Sequence, residues 1–175
     1  MRLKEAAEIA HKCLTVLKTH CDRIEIAGSI RRKVSEVKDI EIVCIPKCVD
    51  LSQSSLFDND VIRKIPCEGF TTTVDQWQPI KGNPFGRYTQ RLLPEGIKLD
   101  LFITNPLSWG YILAIRTGPW EYSKYLVTRA QKMGYTPIEG HLYYRKSIIP
   151  LDKEEDLFEL LNLRYLLPEY RRNPV

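Results

Sequence analysis

Residues 26–43 read IAGSIRRKVSEVKDIEIV, a stretch that combines a Gly-Ser pair, two adjacent arginines and two acids in an apolar frame. Asp39 and Glu41 are spaced i, i+2, so on a strand they share one face while Ile40 and Ile42 occupy the other. A third acid, Asp100, interrupts the otherwise apolar run IKLDLFIT. If the two strands are neighbours, three carboxylates converge. Crowding three negative charges into a half-buried site is costly unless a cation neutralises them. Carboxylate oxygens completed by phosphates and water suit a pair of Mg²⁺ ions, with Mn²⁺ an acceptable substitute.

The turn in front of the acids supplies the complementary half. Gly28 lets a backbone approach closely, and Ser29 offers a hydroxyl and a backbone N–H. A helix starting there would turn its free N–H groups toward an anion. Arg31 and Arg32 carry guanidinium forks suited to phosphate oxygens, and only one of two adjacent side chains is expected to face the site. Taken singly, the acid pair reads as a solvated strand face and the Gly-Ser pair as a turn. Their joint occurrence, with a third strand acid, points instead to metal-assisted phosphate chemistry.

The elements that must position these residues follow from periodicity. Leu3, Ala6, Ala7, Ala10, Cys13, Leu14 and Leu17 recur at three- and four-residue intervals, which predicts a helix over 3–18. DRIEIAG and DIEIVCIP alternate as strands, the second closed by Pro46. Residues 49–60 are polar and read as a loop or short helix, and FTTTVDQW, GRYTQRLL and IKLDLFIT suggest three further strands separated by turn residues. NPLSWGYILAIRTG and PWEYSKYLVTRAQKMG each show helix start and stop signals. A short hairpin is expected with its turn at Glu139-Gly140, then a last helix in DKEEDLFELLNL with acids where the helix dipole favours them. The expected organisation is α+β: a lobe of mixed sheet and flanking helices over 1–105, and a mainly helical subdomain with a small hairpin over 106–175.

Bulk properties narrow the class. Hydrophobic residues make up 43% and charged residues 27% of the 175, the balance of an ordinary globular protein with a real core. No apolar run approaches the roughly 20 residues that span a bilayer, and no membrane partner is expected. The start, MRLKEAAEIAHKC, is interrupted by acids and lysines and is no secretory leader, so an intracellular location is expected, in cytoplasm, nucleoid or nucleus. The five cysteines include no CxxC pair, which suggests neither a disulfide framework nor a zinc ribbon. The net charge of +4 permits a polyanionic partner without demanding one.

At GSIRR followed by VKDIEIV the chain resembles the nucleotidyltransferase signature of the polymerase β superfamily, and it is most similar to the X-family DNA polymerases. KLDLFIT is similar to the strand carrying that family's third metal-binding carboxylate, and AIRTGPWEYSKYLVTRAQKMGY to its TG-containing turn and nucleotide-contacting helix. GHLYY and EEDLFELLNLRYLLPEYRR resemble the end of its C-terminal subdomain. The resemblance implies a nucleotidyltransferase palm followed by a C-terminal subdomain that contacts nucleotide and DNA. It implies Asp39 and Glu41 as ligands of both metals, and Asp100 as ligand of the catalytic one and acceptor of the 3′-hydroxyl proton. Gly28, Ser29 and Arg32 match the positions holding the β- and γ-phosphates, Thr117 and Gly118 the turn beneath sugar and base, and Trp120 and Ser123 positions near the incoming base.

The implied activity is a minimal, monomeric DNA repair polymerase acting on gapped or nicked DNA, using deoxynucleoside triphosphates rather than ribonucleotides. It would lack the lyase and helix-hairpin-helix modules of larger relatives. DNA would then be held by the catalytic lobes, through residues such as Lys81, Arg87, Arg91, Arg129 and Lys132. The chain departs from the family in carrying Glu41 where Asp is usual, Arg116 where an aromatic residue often precedes the TG turn, and Val127 where an arginine often reaches the template. Trp120 follows that turn at a helix start and could stack on a base. Two rivals stand beside this reading: a nucleotidyltransferase with another acceptor (an RNA end, a small molecule or a protein), and a catalytically silent nucleic-acid-binding module.

Overall fold

A computed structural model describes residues 1–51 and 63–172. Helix α1 (Leu3–Lys18) turns Ala6, Ile9, Ala10, Cys13 and Leu17 into the core, as its three- and four-residue spacing requires. Strand β1 (Cys21–Ile26) leads through a single helical turn, α2 (Gly28–Arg31), into β2 (Asp39–Pro46). Strands β3 (Cys48–Leu51) and β4 (Arg63–Pro66) form a separate antiparallel pair. Residues 49–51 of the stretch expected to be a loop thus lie in β3, and 52–60 fall outside the described residues. Helix α3 (Glu68–Asp75) precedes β5 (Gln78–Gly82), β6 (Tyr88–Leu92) and β7 (Lys98–Ile103).

The main sheet has five strands in the order β1-β2-β7-β6-β5, and β2 and β7 are its parallel pair. Their register sets Asp39 opposite Lys98, Glu41 opposite Asp100 and Val43 opposite Phe102. One face of the sheet, with Ile40, Ile42, Leu99 and Leu101, is fully buried against α1 and α3 in the larger apolar core. The other face carries the acids. Above them, Val43, Ile45 and Phe102 are covered by Trp109 and Leu113 of helix α4 (Trp109–Thr117).

Beyond α4 come α5 (Trp120–Lys132), the sheet of β8 (Tyr135–Ile138), β9 (His141–Tyr144) and β10 (Ser147–Ile148), and α6 (Glu154–Leu160). These enclose a second core around Leu126, Leu142, Leu157 and Phe158. The expected β8–β9 turn is present, with Glu139 and Gly140 both at positive φ. Among the described residues, no helix is long and apolar enough to cross a membrane.

One strand expectation is corrected. FTTTV lies in α3, where Phe70 and Val74 recur one turn apart inside the core, and the Thr71 and Thr73 hydroxyls donate to the carbonyls of Glu68 and Gly69. Burial at a four-residue spacing outweighs the β preference of three threonines. The strand in this region is QPIKG instead, an exposed edge paired with β6.

Candidate active site

Strand geometry brings the three acids onto one face. Glu41 and Asp100 are direct register partners on adjacent strands, and Asp39 lies one pleat below Glu41. Asp100 is buried, and its Oδ1 accepts two hydrogen bonds, from the Tyr88 hydroxyl at 2.7 Å and from Gln90 Nε2 at 2.8 Å. Both donors come from β6, where Gln90 is the register partner of Asp100. Tyr88 and Gln90 were not singled out in the sequence, although the alternation of YTQRL places them on one face. Burial and the bond to Asp100 raise the Tyr88 phenol above its usual range.

The acids perturb one another. Burial first, then Asp39 and Asp100 against the opposing charge of Arg32, push Glu41 from 4.5 up to about 7. Burial and the nearby Asp100 raise Asp39 as well. The Glu41 carboxylate lies directly against the Cα of Gly28, where a β-carbon would overlap it, and Gly28 has a φ of +59°. Position 28 therefore requires glycine both for conformation and for space. Because Glu41 reaches back to this turn and Asp100 Oδ1 is occupied by Tyr88 and Gln90, the expected convergence is incomplete. Among the described residues, no three His, Cys, Asp or Glu side chains close into a group that could hold a metal ion. The donor chemistry still fits a hard divalent cation: only carboxylate oxygens, whose mutual repulsion a positive charge would relieve.

The arginine pair divides its work. Arg31 donates to Glu154 Oε2 at 2.7 Å and to the Thr117 hydroxyl at 2.6 Å. Arg171 donates to the other Glu154 oxygen at 2.6 Å. Glu154 and Arg171 are almost fully buried, so the three form an internal ion cluster joining α2 to the C-terminal elements. Burial pushes the Glu154 carboxyl up, but its bonds from Arg31 and Arg171 hold it below its usual range. In sequence Glu154 reads as one of several helix-start acids, and nothing local marks it as a hub.

Arg32 faces the site. It donates to the Thr117 carbonyl at 2.7 Å, and it interacts electrostatically with Glu41 and Asp39 while burial lowers its own pKa. Ser29 Oγ is buried with no hydrogen-bond partner among the described residues. An unmade hydrogen bond of this kind costs about 1–3 kcal/mol, which an anion oxygen would recover.

Thr117 is buried and closes α4 just before Gly118, and both arginines of the GSIRR segment fix its position. The Ser123 hydroxyl donates to the Ile115 carbonyl at 2.6 Å, so it tightens the α4–α5 corner. Trp120 is 69% exposed, with Lys124 Nζ 4.8 Å from its ring centroid. Arg32, Glu41, Arg116, Gly118, Trp120 and Lys124 are among the residues lining a cavity of about 460 Å³.

The five cations expected on DNA separate. Lys81 and Lys132 are exposed, and Arg87 is exposed but paired with Glu139 at 3.3 Å. Arg91 does not belong with them: it is 2% exposed and bonded to Asp75 and to the carbonyls of Val74, Gly82 and Gln90. It faces the core side of β6, where its charge ties the sheet to α3. Arg129 spends its Nε on the Leu161 carbonyl, at 2.6 Å, and closes the end of α6. Trp109, Tyr111 and Phe158 are core residues, and Trp77 and Tyr125 pack partly buried against the two larger cores.

Comparison with curated proteins gives no match. Residues 112–172 match the family model described as DNA polymerase beta thumb, so this subdomain is similar to the thumb of polymerase β.

Proposed function

We propose that this chain is a metal-dependent nucleotidyltransferase that joins a nucleoside triphosphate to a 3′-hydroxyl, acting as a repair polymerase on gapped or nicked DNA. The observation that carries the reading is the register of β2 and β7, which sets Glu41 beside Asp100 with Asp39 one pleat away, in front of Arg32 and the unpartnered Ser29 hydroxyl. In this reading the sequence range 1–105 is the palm and the range 106–175 belongs to the subdomain that contacts nucleotide and DNA.

Asp39, Glu41 and Asp100 would hold the divalent cations, Mg²⁺ or Mn²⁺. Bound there, such ions neutralise the attacking and departing oxygens of an in-line displacement at the α-phosphate. Ser29 and Arg32 take the outer phosphates, and Thr117 and Gly118 form the floor beneath sugar and base. Tyr88 and Gln90 fix one Asp100 oxygen and leave the other to accept the hydroxyl proton. Exposed Lys81, Arg87 and Lys132 supply salt-dependent backbone contacts.

The test is extension of a labelled primer in gapped, nicked and single-stranded DNA, with dNTPs or NTPs and Mg²⁺ or Mn²⁺, beside Asp100→Asn. Extension on gapped DNA that the variant abolishes is expected. No extension under any condition overturns the polymerase reading. Retained triphosphate binding would then indicate another acceptor, and its absence a silent binding module.

A further inference from the structure

We infer that Arg116 is a second phosphate-binding residue of the nucleotide cavity, gripping the outer phosphates of a nucleoside triphosphate together with Arg32. The inference rests on the nucleotide reading above and adds a residue to its site. Arg116 stands where the resemblance to the X-family polymerases implies an aromatic side chain.

The cavity walls carry three cations, Arg32, Arg116 and Lys124, against a single acid, Glu41. Two of the cations already have contacts: Arg32 with the Thr117 carbonyl, and Lys124 with the Trp120 ring. Arg116 is exposed and, among the described residues, makes no hydrogen bond or ion pair. Its guanidinium carbon lies 4.1 Å from the centroid of the Phe102 ring, and that ring stacks in turn on Tyr88 with centroids 5.3 Å apart. A guanidinium held over a ring uses no N–H donor in a conventional hydrogen bond. The Phe102 ring thus supports the guanidinium, whose hydrogen-bonding edge has no protein partner among the described residues. Phosphate oxygens match such an edge in geometry and in charge.

The shape of the cavity favours a free nucleotide over a strand of DNA. Its volume, about 460 Å³, is that of a small-molecule site. The lining includes the exposed Trp120 indole, a flat surface on which a base can stack, together with Arg32 and Arg116. An aromatic surface and two guanidinium groups in one lining are partners for the base and the phosphates of a nucleoside triphosphate. Arg116 also borders a neighbouring cavity of about 390 Å³, whose lining includes Tyr88 and Phe102 and where the other arginine, Arg87, pairs at the surface with Glu139.

The experiment is calorimetric titration of the whole chain, in Mg²⁺ buffer, with dATP, dAMP and a short single-stranded oligonucleotide, for wild type, Arg116→Gln, Arg116→Lys and Arg32→Gln. Arg116→Gln is expected to weaken dATP about tenfold and leave dAMP nearly unchanged, consistent with the loss of charge-assisted hydrogen bonds. Arg116→Lys is expected to recover part of the loss, and the unfolding temperature to stay the same. Unchanged dATP affinity in Arg116→Gln, equal weakening of dATP and dAMP, or a loss confined to the oligonucleotide overturns the inference. If Arg32→Gln abolishes dATP binding while Arg116→Gln does not affect it, the nucleotide reading survives without Arg116. A wild type that binds no dATP overturns both.

Discussion

Glu41 makes the stability of the metal-free protein depend on pH in a direction that can be worked out in advance. Its carboxyl sits against Gly28, beside Asp39 and Asp100, with a folded pKa of about 7 against 4.5 for a solvated glutamate such as that of the unfolded chain. Burial is the largest cause, and the neighbouring acids add to it more than Arg32 relieves. Between those two pH values the folded state holds a proton that the unfolded chain has released. Stability contributed by this group is therefore fully present below pH 4.5 and is lost as pH rises through 7. A displacement of this size corresponds to about 3 kcal/mol.

Urea denaturation in the presence of a chelator, at acid and alkaline pH, reads the effect against Glu41→Gln, which keeps the shape and cannot ionise. At pH 4.5 the two proteins should unfold together. At pH 8 the variant should be more stable by about 3 kcal/mol, a midpoint difference of roughly 1–3 M urea. Under the proposed function, Mg²⁺ should then stabilise the wild type at pH 8 and not the variant. The reasoning fails if both proteins show the same pH dependence, because the strain would then not reside in the Glu41 charge.

Two further substitutions probe the frame that holds the site. Glu154→Gln weakens a buried carboxylate bonded by both Arg31 and Arg171 and should cost about 3–5 kcal/mol, as breaking buried ion clusters does, read as a lower urea midpoint. Because the bonds from Arg31 and Arg171 depress the Glu154 pKa, the wild-type advantage should shrink as pH falls through the carboxylate range. Gly28→Ala places a β-carbon against the Glu41 carboxylate at a positive φ, and should cost about 1–3 kcal/mol in the same assay. A neutral Gly28→Ala would mean that the close approach of Glu41 is not a constraint of the fold.

The acids were legible in the sequence because strand geometry fixes what a two-residue spacing means. Once β2 and β7 are strands buried on one face, Asp39, Glu41 and Asp100 can only lie on the other, and the register of the parallel pair follows from the apolar rows Ile40, Ile42 and Leu99, Leu101. Where local pattern and burial disagree, the reading failed: the threonines of α3 look like a strand until Phe70 and Val74 are seen to face one core. Strand β5 gave no alternation to read, because its residues are exposed throughout and hydrogen bonding to β6 alone defines it. Charge partnerships were the least legible, since residue type does not say where a charge ends. Arg91 points into the core, as the alternation of Thr89 and Arg91 against Gln90 could have suggested. Arg31 meets Glu154 across 123 residues of chain, a pairing that no local pattern encodes. That long-range pairing also settles the question left open at the adjacent arginines. With Arg31 held by Glu154 and Thr117, Arg32 is the one whose field reaches the acids, so the packing of the C-terminal elements decides which guanidinium faces the site.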